Sequence, residues 1–373
     1  MMGEYVLSKK SLYSSIDFRS KKYREVILAT PLASVLEQRE EKAEVLSTGL
    51  PAFDWGVIGI GGFPFSRAVE IFGKEGSGKT RLAMRVVAKF HEVFDKEEVL
   101  WVDAEGSHVA SWMKRCGIDL GRLRLACDLG YGEAYIDRVF AALALGVRLV
   151  VVDAVPSLLP KDISELDKSD LSMHEKLQQA SLITNFLTAL EVGNEKSGRL
   201  PLSASNCLVI FINHTKAFQT TQSFYEDSKG AQKLKHICRL RLNVKRASLG
   251  DEVESEDRRG RFKPATGVVA ARVLAVKNQH APGLGSSVVY MDLNSGEMWD
   301  DPSCTFDLGV QRGVLRVDGT WIKFRGMKWQ GKGAFFESLR ANPDLGWAIC
   351  SPVGEVGSEY KGEEEQVVLN QEV

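Results

Sequence analysis

The sequence predicts an α/β fold with a mostly parallel central sheet. Between residues 46 and 290, short runs rich in β-branched residues alternate with segments of helical character, as in such folds. Three runs are predominantly apolar, as expected for strands buried on both faces of a sheet: Glu98–Asp103, Arg148–Asp153 and Leu208–Asn213. Each run ends in a polar residue, and open α/β sheets bind ligands at the carboxyl ends of their strands.

A glycine-rich segment between a predicted strand and a predicted helix carries the strongest functional signal. It has the pattern Gly-x4-Gly-Lys-Thr, which in this context is typical of a phosphate-binding loop. Glycines let the backbone fold around a polyphosphate, and the helix N-terminus offers unpaired N–H groups. Lys79 is predicted to reach the β- and γ-phosphates, and the Thr80 hydroxyl to hold Mg²⁺. The residues of this predicted nucleoside triphosphate site are Gly73, Lys74, Glu75, Gly76, Ser77, Gly78, Lys79 and Thr80.

Polar residues at or just beyond the ends of three predicted strands are candidates for the rest of the site. Asp153 is placed to hold the water shell of Mg²⁺ against Thr80, or else to cap the next turn. Glu105 is placed to orient the attacking water, and Asp103 competes with it for that role. His214 follows its strand where a γ-phosphate sensor is expected, although a lone histidine more often satisfies a local hydrogen bond.

The chain divides into four predicted zones. Residues 1–45 are polar and basic at first and then carry a helical pattern interrupted at Pro31. Residues 46–290 form the predicted α/β core, and residues 291–352 a small α+β domain rich in Trp, Lys and Gly. Residues 353–373 are rich in glutamate and lack a core-forming pattern, so we expect an acidic disordered tail there.

The composition limits the classes of protein to which this chain can belong. The 373 residues are 44% hydrophobic and 26% charged with a formal net charge of −1, which is ordinary for a globular protein. No apolar run of about 18 residues or more is present, and the N-terminus lacks the hydrophobic region of a signal peptide. The six cysteines are scattered singly. We therefore expect a cytoplasmic protein without membrane association, zinc or a disulfide framework.

Taken together and in this order, the motifs resemble those of the bacterial RecA recombinase family. The resemblance covers roughly residues 46–350. Walker-type motifs are shared with many ATPases, whereas the strand ending at Lys277-Asn278 and the C-terminal zone point to this family more narrowly. The matching segments are Leu46–Gly49, Gly61–Pro64, Val69–Gly73, Val102–Glu105, Val151–Val155, Phe211–Asn213, Ala275–Asn278, Asp307–Val310 and Gly331–Gly333.

The resemblance implies a RecA-like P-loop ATPase core that uses ATP and Mg²⁺, and an oligomerisation role for residues 1–45. It suits a divergent, phage-encoded version of the family. Glu105 matches the family's water-activating glutamate, and His214 stands at the position of its glutamine switch. Trp112 matches an aromatic residue that stacks on adenine, whereas Val109 replaces an aspartate that hydrogen-bonds the base, which implies looser base selectivity.

Two further residues are implied to act across a subunit interface. Lys277 matches a lysine that reaches the ATP of the neighbouring subunit, and Gln279 replaces a second lysine of that pair. A neutral amide stabilises transition-state charge less than a cation does, so we expect slower or differently cooperative turnover.

Two segments are candidates for lining a nucleic-acid channel, and the first runs from about Pro156 to His174. It contains Lys161 and Met173. The resemblance implies that Met173 inserts between base triplets, whereas the residue pattern alone favours an anchor in the core.

The second segment, Thr215–Gly230, is long and polar and is predicted to be a loop. It contains Lys216, Phe218 and Phe224. Aromatic residues beside cations in such a segment are what stacking on single-stranded bases requires.

A stripe of positive charge follows this segment. Between Lys229 and Arg246 there are seven Lys or Arg and no Asp or Glu. Such a stripe either neutralises DNA phosphates or forms a solvated face of a strand or helix. Lys229, Lys235 and Arg241 are the predicted DNA-binding residues in it, and the resemblance places Lys235 and Arg241 near the DNA channel or the subunit interface.

These features lead to one main functional prediction and two alternatives. The main prediction is an ATP-dependent recombinase that forms a helical filament on single-stranded DNA, pairs it with homologous duplex DNA and exchanges strands, with DNA-stimulated hydrolysis. The first alternative is a hexameric DNA translocase with the same fold. The second is an ATP-gated scaffold that binds single-stranded DNA without hydrolysis, motivated by His214 and Gln279.

Overall fold

Parallel strands form the centre of the molecule, as seen in a computed structural model. It describes residues 44–107, 109–165, 171–193, 199–219, 224–229, 232–247 and 267–352. Most of the predicted N-terminal segment and the whole predicted tail lie outside these residues. The strands are β1 (Val45–Leu46), β2 (Phe63–Pro64), β3 (Arg67–Gly73), β4 (Val99–Asp103), β5 (Leu123–Ala126), β6 (Leu149–Asp153), β7 (Leu208–Gln219), β8 (Phe224–Ser228), β9 (Leu240–Arg246), β10 (Val268–Asn278), β11 (Ser286–Asp292), β12 (Met298–Asp300), β13 (Arg316–Asp318), β14 (Trp321–Phe324) and β15 (Met327–Gln330).

Helices cover the sheet and build the C-terminal module. The α-helices are α1 (Pro51–Phe53), α2 (Lys79–Val93), α3 (Ala110–Arg115), α4 (Gly132–Ala144), α5 (Lys161–Ser164), α6 (Met173–Val192), α7 (Gln232–Ile237), α8 (Pro302–Gln311), α9 (Gly331–Ala341) and α10 (Pro343–Cys350). One turn of π-helix (Asp54–Ile58) continues α1.

The main sheet has the strand order β12-β11-β10-β9-β3-β7-β6-β4-β5, and β8 pairs with β7 off this path. All neighbours from β9 to β5 along this order are parallel. At the other edge β10, β11 and β12 continue the sheet as antiparallel strands. The predicted α/β fold with a mostly parallel sheet is therefore confirmed.

The central strands bury both of their faces. In β6, Leu149 and Val151 pack into the same apolar cluster as residues of α2, whereas Val150 and Val152 pack against α4 and α6. Side chains alternate between the two faces of a strand, so a continuous apolar run supplies both layers. The three apolar runs that the sequence identifies are strands for this reason, and β7 extends beyond its predicted end.

The extension of β7 corrects the prediction that Thr215–Gly230 is a loop. β7 pairs with β8 as an antiparallel hairpin, from Thr215 opposite Ser228 to Gln219 opposite Phe224. Backbone N–H and C=O groups need partners, and the hairpin supplies them within a segment whose threonines and aromatic residues favour strands.

The C-terminal module has its own small core. Strands β13, β14 and β15 form an antiparallel sheet, and α8, α9 and α10 pack against it around Phe306, Phe335 and Phe336. The main sheet runs on to Asp300, at the end of β12, before this module begins. The predicted domain boundary at residue 290 stays a prediction.

Two enclosed carboxyl groups lie where α1 meets the edge of the main sheet. Asp54 accepts hydrogen bonds from Ser47 and Thr48, and burial raises the pKa of Asp54 to about 7. Asp300 Oδ2 accepts a hydrogen bond from the Ala52 N–H at 2.6 Å, whereas Oδ1 has no partner among the described residues. Burial raises the pKa of Asp300 to about 8.

We expect Asp300→Asn to stabilise the protein, and more so at alkaline pH. A folded-state pKa above the ordinary aspartate value of 3.8 means that the folded state binds the proton more tightly, so Asp300 destabilises the fold progressively as pH rises toward 8. Asparagine keeps an acceptor for Ala52 and does not ionise. Melting temperatures at about pH 6 and about pH 9 test this, with exposed Asp307→Asn as the matched control. An equal gain at both pH values would contradict it.

Candidate nucleotide and nucleic-acid sites

The loop between β3 and α2 has the geometry of a phosphate cradle. β3 ends at Gly73 and α2 begins at Lys79, so the loop lies at the carboxyl edge of the parallel strands. Gly76 and Gly78 have φ angles of 68° and 102°, a left-handed conformation that favours glycine. The buried Ser77 hydroxyl has no hydrogen-bond partner among the described residues, and a phosphate group would supply one.

Lys79 is buried beneath this loop, and its Nζ donates to the Lys74 carbonyl oxygen at 2.9 Å. Burial lowers the pKa of Lys79, and the carboxylates of Asp153, Glu105 and Glu75 oppose that shift. A phosphate group would add the negative charge and acceptor oxygens that a partly desolvated ammonium group lacks. The site therefore suits an anion.

The Thr80 hydroxyl donates to Asp153 Oδ2 at 3.1 Å. Asp153 ends β6, and Thr80 lies in the first turn of α2, so neighbouring structural elements bring both oxygens to the same edge of the sheet. A hydroxyl and a carboxylate oxygen are hard ligands of the kind that Mg²⁺ accepts, with water completing its octahedral shell. These two residues fit the predicted Mg²⁺ site.

The two remaining candidates, Glu105 and His214, contact each other directly. Glu105 Oε1 lies 2.6 Å from His214 Nε2, and both side chains are partly exposed. The hydrogen bond from His214 lowers the pKa of Glu105, and the nearby charges of His214 and Lys79 act in the same direction against its burial. Glu105 is therefore an ionised carboxylate that can accept a hydrogen bond from water.

The carboxylate of Asp103 makes different contacts from that of Glu105. Its Oδ1 accepts hydrogen bonds from the Gly106 N–H at 2.9 Å and the Ser107 N–H at 3.3 Å, and the residue is buried. These bonds fix the turn after β4 that presents Glu105. Asp103 thus holds the turn through Oδ1, whereas Glu105 contacts His214.

The predicted base-stacking residue, Trp112, lies on α3 and is 41% exposed. The guanidinium carbon of Arg81 lies 4.1 Å from the centre of its ring. Val109, directly before α3, is 56% exposed and offers no side-chain hydrogen bond.

Lys277 and Gln279 contact elements other than the phosphate loop. Lys277 Nζ donates to the carbonyl oxygens of Lys235 and His236 at 2.8 and 3.1 Å, at the end of α7. Burial lowers the pKa of Lys277. Gln279 is exposed and donates its backbone N–H to Arg239. Within one chain, these contacts do not bring the two residues together with Lys79.

The first predicted DNA segment is partly helical. Lys161 begins α5, and its Nζ lies 5.5 Å from the centre of the Tyr131 ring. Met173 begins α6 and is 74% exposed. The interpretation of Met173 as a core anchor is therefore wrong, and its side chain is available at the surface.

The second predicted DNA segment is the hairpin β7–β8. Lys216 and Phe218 lie on β7, and Phe224 begins β8; the side chain of Lys216 is exposed, whereas those of the two phenylalanines lie outside the described part of the structure. At the base of the hairpin, the Lys229 N–H donates to the His214 carbonyl oxygen at 2.8 Å. The hairpin thus begins next to the residue that contacts Glu105.

The positively charged stripe is divided by ion pairs. Lys235 Nζ lies 2.6 Å from Asp227 Oδ2, and Arg241 contacts Glu70 at 2.6 Å and Asp227 at 2.7 Å. Arg241 is buried, whereas Lys229 is exposed. The burial of the Arg241 guanidinium does not fit direct contact with a DNA phosphate. We therefore correct the expected role of Arg241 to a structural one and leave this residue out of the proposed DNA surface.

Sequence reasoning missed Glu70 and Asp227, which organise this network. Hydrogen bonds from Lys235 and Arg241 lower the pKa of Asp227 against the effect of its burial. A signal for Glu70 was present, because it is a charged residue inside the apolar run that becomes β3. A buried carboxylate requires a partner, and that partner lies far away in the sequence.

Comparison with known proteins points to one family. A profile of the RecA N-terminal domain family matches residues 27–296. Protein RecA of Paracoccus denitrificans is 34% identical over 310 residues, which cover 82% of this chain and 79% of the relative. Protein RecA of Azospirillum lipoferum is 31% identical over 315 residues, covering 83% and 79%. Protein RecA of Cereibacter sphaeroides is 32% identical over 307 residues, covering 81% and 81%.

The sheet order and the phosphate-binding loop at its carboxyl edge define an α/β protein of the RecA-like P-loop class. With the extent of these matches, the chain belongs to the bacterial RecA family, as a divergent member. In the part of the chain that the structure describes, no helix combines the length and the apolar character that a membrane span requires.

We expect Arg241→Met to destabilise the fold strongly, because it leaves the Glu70 carboxylate buried and uncompensated. The loss of unfolding free energy should be about 3–5 kcal/mol. Lys245→Met, at an exposed position of the same strand, is the matched control and should change it by less than about 0.5 kcal/mol. Urea unfolding measures both, and equal effects of the two substitutions would contradict a structural role for Arg241.

Proposed function

We propose that the protein is an ATP-dependent DNA recombinase that forms a helical filament on single-stranded DNA, pairs it with homologous duplex DNA and exchanges strands. The observation that carries the proposal is the contact of Glu105 with His214, because it joins the proposed hydrolytic centre to the base of the hairpin β7–β8. Family membership supports the same class of activity.

In this proposal the loop from Gly73 to Thr80 holds the triphosphate of ATP. Lys79 supplies a cation beneath the loop, and the Ser77 hydroxyl finds its missing partner on a phosphate group. Thr80 and Asp153 would hold Mg²⁺, which when bound offsets the negative charge of the phosphates. Trp112 offers an exposed aromatic surface for the base.

Glu105 is the proposed residue that orients the attacking water. A positioned carboxylate with a low pKa accepts a hydrogen bond from water and holds its oxygen toward the γ-phosphorus. His214 restrains that carboxylate through the 2.6 Å contact. Because the His214 carbonyl oxygen is bound by Lys229 at the end of the hairpin, DNA on the hairpin would act on the position of Glu105.

Single-stranded DNA would lie along exposed residues of the two predicted segments. Met173 offers an exposed apolar side chain, and Lys161, Lys216 and Lys229 offer cations for phosphates. In the C-terminal module, β14 and β15 place Lys323 directly opposite Lys328, next to the partly exposed Trp321. This face is the proposed contact for duplex DNA.

The filament requires contacts between different surfaces of successive subunits. Lys277 Nζ is held by two carbonyl oxygens, and no ion pair of Lys277 with a carboxylate occurs among the described residues. Its charge would serve the ATP of a neighbouring subunit. Such contacts join unlike surfaces, so they propagate into an open filament when they do not close a ring. We place the protein in the cytoplasm, where its proposed substrate lies.

We expect Glu105→Gln to abolish DNA-stimulated hydrolysis while sparing ATP-dependent binding of single-stranded DNA. Loss of a positioned base should lower the stimulated rate by about 10²–10⁴-fold. The measurement is phosphate release with and without single-stranded DNA, with exposed Glu337→Gln as the matched control.

Two outcomes for the unaltered protein would overturn the proposal. Binding of DNA that needs ATP but shows no turnover would favour a scaffold, and turnover indifferent to DNA would exclude coupling between the sites. Electron microscopy of the complex with single-stranded DNA and ATP separates a filament from a closed ring.

We expect Gln279→Lys to raise the maximal DNA-stimulated rate, by roughly tenfold, because a second cation at the subunit interface would stabilise transition-state charge. The change should appear in kcat and be absent without DNA, since it depends on filament assembly. Gln311→Lys, the same substitution at an exposed position of α8, is the control. An unchanged kcat in both variants would exclude a catalytic contact through residue 279.

A further inference from the structure

The carboxylate of Asp227 fastens the hairpin β7–β8 to the core of the molecule. Its Oδ2 lies 2.6 Å from Lys235 Nζ on α7, and its Oδ1 accepts a hydrogen bond from Arg241 Nη2 on β9 at 2.7 Å. Oδ1 also accepts a hydrogen bond from the Ser228 N–H at 2.7 Å. Because Asp227 lies on β8, one side chain ties the returning strand of the hairpin to a helix and a strand of the core.

This attachment can be broken without breaking the core. Partial burial acts to raise the pKa of Asp227, but the hydrogen bonds from Lys235 and Arg241 lower it below the ordinary aspartate value, so the carboxylate is ionised. The side chains of Asp227 and Lys235 are 25% and 17% exposed, so ions in solution can compete for them. If Asp227 moves away, Arg241 keeps its contact with the fully buried Glu70 at 2.6 Å. The strands β3 and β9 therefore stay joined when the hairpin is freed.

The hairpin is also connected to the proposed hydrolytic residue. Two residues after Asp227, the Lys229 N–H donates to the His214 carbonyl oxygen at 2.8 Å. His214 Nε2 in turn lies 2.6 Å from Glu105 Oε1, so one oxygen of this carboxylate is occupied. A shift of His214 would free that oxygen to accept a hydrogen bond from water. The described arrangement of the hairpin is thus one in which Glu105 is restrained.

A phosphate group bound to the hairpin would act against the Asp227 contacts. Lys216 lies directly opposite Asp227 in the hairpin, and directly opposite residues share a face with their Cβ atoms about 5 Å apart. A phosphate at Lys216 would bring negative charge close to the Asp227 carboxylate and would compete with it for cations. A ligand that is bound better by one arrangement shifts the population toward that arrangement. Single-stranded DNA would therefore favour the detached hairpin.

We propose that the contacts of Asp227 with Lys235 and Arg241 form a latch, which holds the hairpin in the restrained arrangement and limits ATP turnover until single-stranded DNA displaces it. Asp227 acts through His214 on Glu105, so it is a positioning residue. This inference rests on the proposed function and specifies how its site is regulated. Because coupling between two binding equilibria is reciprocal, a latch that DNA opens must also weaken the binding of DNA.

The test is Asp227→Asn in the full chain, which keeps the size of the side chain and removes its charge. We expect phosphate release without DNA to rise about tenfold and the Kd for single-stranded DNA, measured with Mg²⁺ and a β,γ-imido analogue of ATP, to fall about tenfold. The rate at saturating DNA should not change, because DNA already opens the latch. Glu191→Gln is the matched control: it removes the ion pair of Glu191 with Lys233, which joins α6 to α7 without the hairpin, and should change none of these values.

Hydrogen exchange distinguishes a latch from a purely structural contact. In Asp227→Asn, amides of the hairpin should exchange faster while those of β3 and β9 stay as in the unaltered protein. Faster exchange in the hairpin with unchanged turnover in the absence of DNA would sink the proposal, because the hairpin would then not control Glu105. Lower turnover with and without DNA, together with faster exchange in β3 and β9, would also sink it by giving Asp227 a structural role alone.

The unaltered protein separates this inference from the proposed function. If DNA stimulates its hydrolysis and Asp227→Asn behaves identically, only the latch fails. If DNA does not stimulate hydrolysis by the unaltered protein, the proposed function fails and the latch fails with it.

Discussion

The buried contact between Glu70 and Arg241 is the interaction on which both candidate sites depend. Glu70 lies on β3, accepts from Arg241 Nε on β9 at 2.6 Å, and accepts from Asn213 Nδ2 on β7 at 2.8 Å. Three adjacent strands therefore share one fully buried carboxylate, and the phosphate loop starts where β3 ends. Removing one partner of such a pair costs about 3–5 kcal/mol, against a typical net stability of about 5–15 kcal/mol for a folded protein. Loss of either partner would therefore leave an uncompensated buried charge on strands that carry the phosphate loop.

The same network extends to the hairpin and to the proposed subunit interface. Arg241 and Lys235 both bind Asp227 on β8, and Lys277 Nζ donates to the Lys235 carbonyl oxygen. A movement of the hairpin would therefore disturb polar groups that also support β3 and β10. Contiguous contacts transmit a signal only if one element has two arrangements, and the hairpin is our candidate for that element. At the base of the hairpin, the Lys229 N–H donates to the His214 carbonyl oxygen, and the His214 N–H donates to Asn213 Oδ1. The hairpin is therefore connected to the candidate nucleotide site through His214.

The central sheet could be predicted because strands that are buried on both faces appear in the sequence as apolar runs, as in Leu149–Asp153. The phosphate loop was equally predictable, since its chemistry depends on local backbone freedom and on consecutive residues. The partners of Arg241 could not be predicted, because Glu70 lies 171 residues away and only folding brings the two together. For the same reason a stripe of cations along the sequence did not predict a surface: strand and helix geometry directed Lys235 and Arg241 inward, toward Asp227.

The differences from the family pattern that the resemblance identifies, at Val109, His214 and Gln279, lie outside the phosphate loop itself. Lys79, Thr80 and Asp153 have the residue types that any triphosphate and Mg²⁺ require. Val109 and Gln279 differ in groups that would meet the base and the neighbouring subunit. The phosphate groups are the same in every nucleoside triphosphate, so few other residue types can replace the side chains that bind them. Contacts with the base or with a neighbouring subunit instead act through differences in affinity, which a single side chain can change. We therefore expect substitutions at positions outside the phosphate loop to alter base selectivity and turnover while the fold is kept.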